Sequence, residues 1–289
     1  MAVAEPVTLA LPTPRRLQGW RLPSSVGRLE RLGLALLGAL TLVALLAPLL
    51  APSGATQPSG AGTFRAPGAA AWLGTDDLGR DLLSRALFGM RASWVSAIAV
   101  VTSGVLVGGI VGVSAGMAGG VVDAALMRLT DLFLALPGPV LAIAVVVALG
   151  PSLPHTLLAV GVVWWPWYAR VVRAEVRALM ARPHVDAARL AGVKRSRLAM
   201  RHLLPGTVPA VLVTASLDVG NLVLTLAALS FIGLGAPPPA PELGAMVARG
   251  LPYLFGHPWV PLVPAVAVFV LAFAANLAGD GLRNLLEHV

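Results

Sequence analysis

Long uncharged runs constrain this chain more than any other feature of its sequence. Residues 92–120 contain no charged side chain, and residues 132–169 contain none either. A helix that crosses a bilayer needs about 20 predominantly apolar residues, so the second run is too long for one helix. The sequence Gly-Pro-Ser-Leu-Pro at 150–154 divides it into two. With 57% hydrophobic and 12% charged residues, the chain is more apolar than a soluble domain, and we predict an all-α polytopic membrane protein.

The predicted protein crosses the membrane six times. The apolar stretches are 32–50, 92–120, two within 132–169, 206–231 and 261–278. Lys and Arg, which give the net charge of +8, concentrate before the first stretch and between the fourth and fifth, and such residues mark the cytoplasmic side. Both termini are therefore predicted to be cytoplasmic, and topology explains the charge without a nucleic-acid partner. The predicted parts are a cytoplasmic tail at 1–30, a first transmembrane helix with an external loop and an amphipathic helix at 31–91, a five-helix core at 92–283, and a cytoplasmic C-terminus at 284–289.

An amphipathic helix is predicted from Thr75 to Arg85. Thr75 is a suitable N-cap, and Asp76 and Asp77 suit a first helical turn. Two acid-before-base pairs four residues apart, Asp76 with Arg80 and Asp81 with Arg85, would support the helix.

A stripe of glycines recurs at every fourth residue of the second span. At 3.6 residues per turn such a stripe lets a neighbouring backbone approach closely, and we predict that it packs against another helix. Its predicted packing members are Gly104, Gly108, Gly112 and Gly116. A phosphate-binding loop would need a preceding strand and a following Lys-Ser or Lys-Thr, which the sequence lacks, so ATP hydrolysis by this chain is not expected.

A short basic segment at 180–205 lies between two apolar stretches. Its charges would be costly inside hydrocarbon, so we predict a loop in water. Pro183 suits a first helical turn, Asp186 lies near the helix N-terminus, and Gly192 supplies the stop. The prediction is a small helix lying across the end of a membrane bundle. An ordinary basic loop that contains Asp-Ala-Ala by accident is the alternative.

The basic segment resembles the cytoplasmic loop with the Glu-Ala-Ala motif in permeases of importer-type ABC transporters. The matching residues are Asp186, Ala187, Ala188, Gly192, Leu204 and Pro205. Asp186 stands where the family has Glu, and His202 stands where it has an aliphatic residue. Three blocks resemble the C-type subunits of dipeptide, oligopeptide and nickel importers: Leu-Gly-Thr-Asp-Asp-Leu-Gly-Arg-Asp at 73–81, Leu-Ser-Phe-Ile-Gly-Leu-Gly at 229–235 and the Asn-to-Arg block at 276–283.

This resemblance implies the fold of a type I ABC importer permease, with the helix around Asp186 as a coupling helix. It further implies a prokaryotic inner-membrane subunit that forms half of a translocation path by alternating access. The implied partners are a paralogous permease, two ATPase subunits that hold ATP and Mg²⁺, and an extracytoplasmic substrate-binding protein. No cofactor is implied for this chain, and peptides are expected as substrates before nickel. An ion-coupled secondary transporter would instead need inverted repeats and several buried charges.

Candidate path residues are few. Asp218 is the one acid well inside a predicted span, and such a carboxylate either meets a cationic substrate or makes a structural hydrogen bond. Asn221 and Asn276 are weaker candidates. The aromatic residues at 164–168 either form an interfacial belt or line the path. The five histidines show no metal-ligand spacing, and the absence of cysteine excludes disulfides and thiolate ligands.

Overall fold

The fold is all-helical. The computed structural model describes residues 28–287, and it contains no strand in that range. The helices are α1 (Arg28–Leu45), α2 (Ala47–Leu50), α3 (Leu82–Ala118), α4 (Gly120–Leu134), α5 (Gly138–Leu149), α6 (Leu153–Met180), α7 (Pro183–Leu190), α8 (Arg195–Leu198), α9 (Leu204–Phe231), α10 (Leu243–Gly250) and α11 (Trp259–Glu287). A π-helical segment, Ala199–Leu203, joins α8 to α9. The predicted tail at 1–30 falls largely outside the described residues, as does the end of the predicted C-terminus.

Three helical stretches are long and apolar enough to cross a membrane by themselves. They are α3, the continuous stretch Arg195–Phe231 and α11, and a fourth span results if α4 and α5 together form one broken crossing. The other predicted spans are helical but do not meet these criteria individually. The first is interrupted at Leu46, two residues before Pro48, so α1 and α2 share it. The second half of α6 carries Arg170, Arg173 and Arg177.

The predicted third span is bent sharply. Its first part lies in α4, and Pro137 separates α4 from α5 at an angle of 83°. The bend follows from proline chemistry, because Pro137 lacks an N–H and disfavours a helical conformation at the residue before it. The remaining α5 has 12 residues and is therefore about 18 Å long, well short of the roughly 30 Å hydrocarbon layer. Asp123, Arg128 and Asp131, which the sequence places in a polar turn, belong to the helical α4.

The predicted amphipathic helix at 75–85 is wrong in its first half. Thr75 does not cap a helix, because its hydroxyl donates to the Gly62 carbonyl at 2.7 Å and its backbone forms a bridge with Asp81. Gly79 has a φ of +71°, which ends any local helix. Asp81 is the real N-cap of α3, and its carboxylate accepts from the Ser84 backbone N–H at 2.7 Å. The Asp76–Arg80 pair does form, at 2.7 Å, but within a turn.

The loop at 51–81 is tied to α3 by a buried arginine. Arg85 is almost fully buried, and its guanidinium donates to the Ala55 carbonyl at 2.7 Å and lies 3.5 Å from the Asp76 carboxylate. Predicted as the partner of Asp81, Arg85 instead joins residues 30 positions earlier in the chain. This loop is therefore fixed on the bundle.

The centre of the bundle is the contact between α3 and α6, and the glycine stripe lies in it. A Cβ on Gly108 would stand 2.5 Å from the Trp165 carbonyl oxygen, and one on Gly112 would stand 2.7 Å from the Ala169 carbonyl oxygen. Gly116 faces Val176 with similar closeness, whereas Gly104 contacts the ring of Tyr168 less tightly. The two backbones approach so closely that no side chain fits between them.

The aromatic residues at 164–168 do not form a uniform belt. Tyr168 is buried against α3, Trp165 is buried with its ring against Phe133 of α4, and Trp164 is half-buried. Trp167 alone of the four is 50% exposed. A lipid-facing belt would require the rings to point outward together, which the helical period of α6 prevents.

Candidate functional site

The basic segment folds into a short helix with defined ends. α7 begins with Pro183, whose missing N–H is harmless in a first turn, and Asp186 lies in that turn. Gly192 has a φ of +77° after the last turn. Its N–H donates to the Arg189 carbonyl at 2.9 Å, and the next N–H, that of Val193, donates to the Ala188 carbonyl at 3.1 Å. These two bonds are the Schellman arrangement that ends a helix.

One face of α7 is packed on the membrane bundle. Val185 is completely buried, together with Leu198 and Leu203 from the following turns. They share a small core with three residues of the second half of α6, namely Val172, Val176 and Leu179. Ala188, on the same side of α7, packs against this core. α7 is therefore held against the end of α6.

The other face of α7 is open and apolar at its edge. Leu190 is 91% exposed, and Ala187 and Ala191 beside it are exposed as well. Asp186 is exposed and lies 3.4 Å from Arg189, a contact that contributes little in water. The matched residues Asp186, Ala187 and Ala188 thus occupy one helix but point in different directions, two outward and one toward the core.

The closing Leu-Pro of the segment begins the next long helix. Leu204 is the first residue of α9, and Pro205 follows in its first turn. The π-helical segment before it widens the turn. α7 is consequently connected to α6 through a shared core, and after the turn at 191–194 the continuous helical stretch Arg195–Phe231 leads into α9.

An ion-pair cluster, which the sequence did not single out, clamps α4 to α6. Asp123 is buried and accepts from Arg173 at 2.5 and 2.7 Å and from Arg177 at 2.5 Å. The hydrogen bond from Arg173 keeps the pKa of Asp123 below its ordinary value. Asp131 and Arg170 form a second pair at 2.6 Å with both side chains half exposed. The sequence pattern that could have indicated this cluster is a set of two acids in α4 and three arginines at helical spacing in α6.

The three path candidates have different surroundings. Asp218 on α9 is half-buried, next to Tyr168 and Trp164 of α6. Its buried Oδ2 is outside hydrogen-bond geometry with any described residue, and so is the Tyr168 hydroxyl. Asn221 is exposed, and Asn276 donates to the Ala272 carbonyl at 3.0 Å while packing on Gly220. The structure therefore gives Asp218 a buried polar neighbour on α6, whereas Asn276 has a packing position.

A polar cluster at the opposite end of the bundle surrounds Arg249 of α10. Burial, followed by the nearby Arg80, lowers the pKa of the Arg249 guanidinium. The cavity beside these two arginines has a volume of about 20 Å³, enough for about one water molecule. No group of three or more metal-ligating side chains occurs among residues that the structure describes.

The chain matches known transport proteins over most of its length. Residues 104–288 match the family model described as binding-protein-dependent transport system inner membrane component. The chain is 36% identical over 260 residues to the dipeptide transport system permease protein DppC of Alkalihalophilus pseudofirmus, covering 90% of this chain and 86% of the relative. It is 41% identical over 221 residues to the probable D,D-dipeptide transport system permease protein DdpC of Escherichia coli, covering 76% and 74%. Identity to the nickel transport system permease protein NikC of Escherichia coli is 37%, covering 89% and 93%.

A solved structure has the same fold. The structure titled inward facing conformations of the MetNI methionine ABC transporter contains a chain that aligns with a TM-score of 0.53 and 19% identity. The alignment covers 71% of this chain and 97% of that chain. At this identity the likeness establishes the fold alone. The family match and the relatives, with the apolar helices, show that the chain is a multi-pass inner-membrane protein belonging to the family of inner membrane components of binding-protein-dependent transport systems.

Proposed function

We propose that this chain is one of two permease subunits of an ATP-driven importer for peptides, and that an ATPase subunit acts on it through α7. The arrangement of α7 is the observation that carries this proposal. Val185 fixes one face of the helix to the bundle, while Leu190 and its small neighbours leave the other face free for a partner. A slim apolar edge, rigidly mounted and surrounded by positive charge, suits docking into a cleft of another subunit.

Motion applied to α7 would reach several membrane helices. The shared core transmits it to α6, the Asp123 cluster carries it from α6 to α4, and the π-helical segment carries it to α9. A ligand shifts a conformational equilibrium only through its different affinities for the two states. In this proposal ATP and Mg²⁺ bind the partner ATPases, so the differential affinity lies there and this chain transmits the change.

The proposed assembly contains a paralogous permease, two ATPase subunits and an extracytoplasmic substrate-binding protein. In this arrangement the basic segment and both termini are cytoplasmic. Peptides are the favoured substrate because two of the similar relatives carry dipeptides in their names, whereas nickel is the alternative given by the third. Uptake of a radiolabelled dipeptide and of radiolabelled nickel by cells with and without the chain separates these substrates.

A charge on the open face of α7 tests the coupling role. Leu190→Glu would place a carboxylate where the ATPase is proposed to dock, so we expect loss of ATPase copurification with the tagged chain and loss of uptake. Leu78→Glu is the matched control, because Leu78 is also an exposed leucine but lies in the opposite loop. Normal copurification of the ATPase with Leu190→Glu would contradict the proposal, and so would uptake driven by membrane potential without ATP.

Asp218 is proposed as a path residue that meets the cationic group of a substrate. Its partly buried carboxylate beside Tyr168, with one oxygen unpartnered among the described residues, supports this role. Asp218→Asn retains the side-chain size and removes the charge. We expect reduced uptake with normal assembly by size-exclusion chromatography, whereas unchanged uptake would leave Asp218 as a packing residue.

A further inference from the structure

A cavity of about 400 Å³ lies between the ends of the membrane helices and the basic segment. Its lining residues are Met117, Met180, Arg189, Val193, Arg195 and Leu198. The volume falls in the range of small-molecule sites, about 300–1,000 Å³. By comparison, the cavities beside Arg249 and beside Ser93 at the other end of the bundle measure about 20 and 10 Å³, so each accommodates about one water molecule.

The cavity lining is amphipathic. Met117 belongs to the last turn of α3, and Met180 is the last residue of α6, so the apolar wall continues from the membrane helices. Arg189 and Arg195 supply two positive charges. One nitrogen of the Arg189 guanidinium lies 3.0 Å from the Met180 sulfur, so this charge borders the apolar wall, and another nitrogen lies 3.4 Å from an Asp186 oxygen.

We infer that this cavity binds an anionic phospholipid. Its phosphate would lie between Arg189 and Arg195, and an acyl chain would follow Met117 and Met180 into the bilayer. Basic pockets between helix ends at a membrane surface favour anionic headgroups, and the apolar wall distinguishes a lipid from a soluble anion. Lys194, exposed and adjacent in sequence to Arg195, adds to the local positive charge.

The cavity and the open edge of α7 are different surfaces. At 100° per residue, Arg189 lies about 40° around the helix from the buried Val185, whereas Leu190 lies about 140° from it. Arg189 therefore borders the bundle side, and Leu190 points away. A partner that docks on Leu190 leaves the cavity available to lipid.

Native mass spectrometry of the assembled transporter, purified through this chain, tests the inference. The probes are phosphatidylglycerol and phosphatidylcholine with identical acyl chains. We expect preferential retention of phosphatidylglycerol, and a drop in its apparent affinity of about twenty-five-fold in Arg189→Gln/Arg195→Gln, since each surface arginine contributes about fivefold. Arg197→Gln is the control, because it removes the same charge from an exposed position that does not line the cavity.

A cavity-filling variant and a competition with inorganic phosphate complete the test. Val193→Trp fills the cavity without changing charge and should abolish phosphatidylglycerol retention while thermal unfolding is unchanged. Inorganic phosphate at millimolar concentration should not displace the lipid, and displacement would identify a soluble phosphate site instead. Equal retention of both lipids, or retention only after the ATPase subunits have been stripped away, would overturn the inference.

Discussion

Gly108 and Gly109 are adjacent on α3 yet meet different surroundings. A Cβ on Gly108 would stand 2.5 Å from the Trp165 carbonyl oxygen, whereas one on Gly109 has nothing within 4 Å. Gly108→Ala is therefore expected to lower the free energy of unfolding by about 1–3 kcal/mol through overpacking. Gly109→Ala, its matched control, should be neutral or stabilising by up to about 1 kcal/mol. Thermal unfolding of the two purified variants in detergent checks the difference, and equal stabilities would refute close packing of α3 on α6.

The Asp123 cluster gives a second prediction for a single residue. Asp123→Asn removes the charge that faces Arg173 and Arg177, and we expect a loss of about 1–2 kcal/mol, since both arginines are partly in water. Asp131→Asn disrupts a pair that is half exposed on both sides and should cost less than about 1 kcal/mol. Denaturation of both variants by the same method measures the contrast.

Lowering the pH should reduce the destabilisation that Asp123→Asn causes. Arg173 lowers the folded-state pKa of Asp123, so its contribution is present above the unfolded-state pKa, about 3.9, and is lost as the pH falls through the folded-state pKa. The difference in stability between the wild type and Asp123→Asn should be constant from pH 8 to about 5 and smaller below about pH 4. A difference that grows on acidification would exclude this assignment.

At the level of single helices, the order of α7 depends on the turn at Gly192 that ends it. Gly192 has a left-handed backbone, in which a Cβ costs about 1–2 kcal/mol. Gly192→Val should therefore loosen residues 183–191, giving faster hydrogen exchange there and weaker coupling of ATP hydrolysis to uptake. Gly192→Asn should be milder, because asparagine tolerates this conformation better. Exchange that is unchanged in the valine variant would show that the Schellman arrangement does not hold α7.

The sequence predicted elements well where a local chemical rule acts alone. Pro183 and Gly192 bound α7 as expected, and the uncharged run from residue 92 is helical as far as Ala118, with its glycine stripe on α6. The rule failed at 75–85, where the Asp76–Arg80 pair forms within a turn instead of a helix and Arg85 donates to the distant Ala55 carbonyl. The angle between α4 and α5 could not be predicted either, because Pro137 indicates a break in the helix but not the direction of the bend.

At the scale of the whole molecule, the absence of cysteine makes topology measurable. Single cysteines can be introduced and labelled without background from the native chain. Lys194→Cys, in the basic segment, should react with a membrane-impermeant maleimide only after permeabilisation. Gly60→Cys, in the loop at 51–81, should react in intact cells. The two positions are exposed at opposite ends of the bundle. Labelling of Lys194→Cys in intact cells would reverse the proposed orientation.

The candidate site likewise contains residues that act on their own backbone and residues that come together only when the chain folds. The positions of Asp186, Gly192 and Pro205 could be read from spacing, because each acts on the backbone around it. The clamp at Asp123 and the cavity beside Arg189 could not, because each needs residues from separate helices to meet.

The shortness of α5 affects the free energy of desolvating a polar solute beside it. Where a helix of about 18 Å stands in a layer of about 30 Å, headgroups and water must approach more deeply than elsewhere around the perimeter. A polar solute moving alongside that helix would meet a thinner dielectric barrier, so in the proposed transporter geometry would supply part of the work of desolvating it before any nucleotide is hydrolysed.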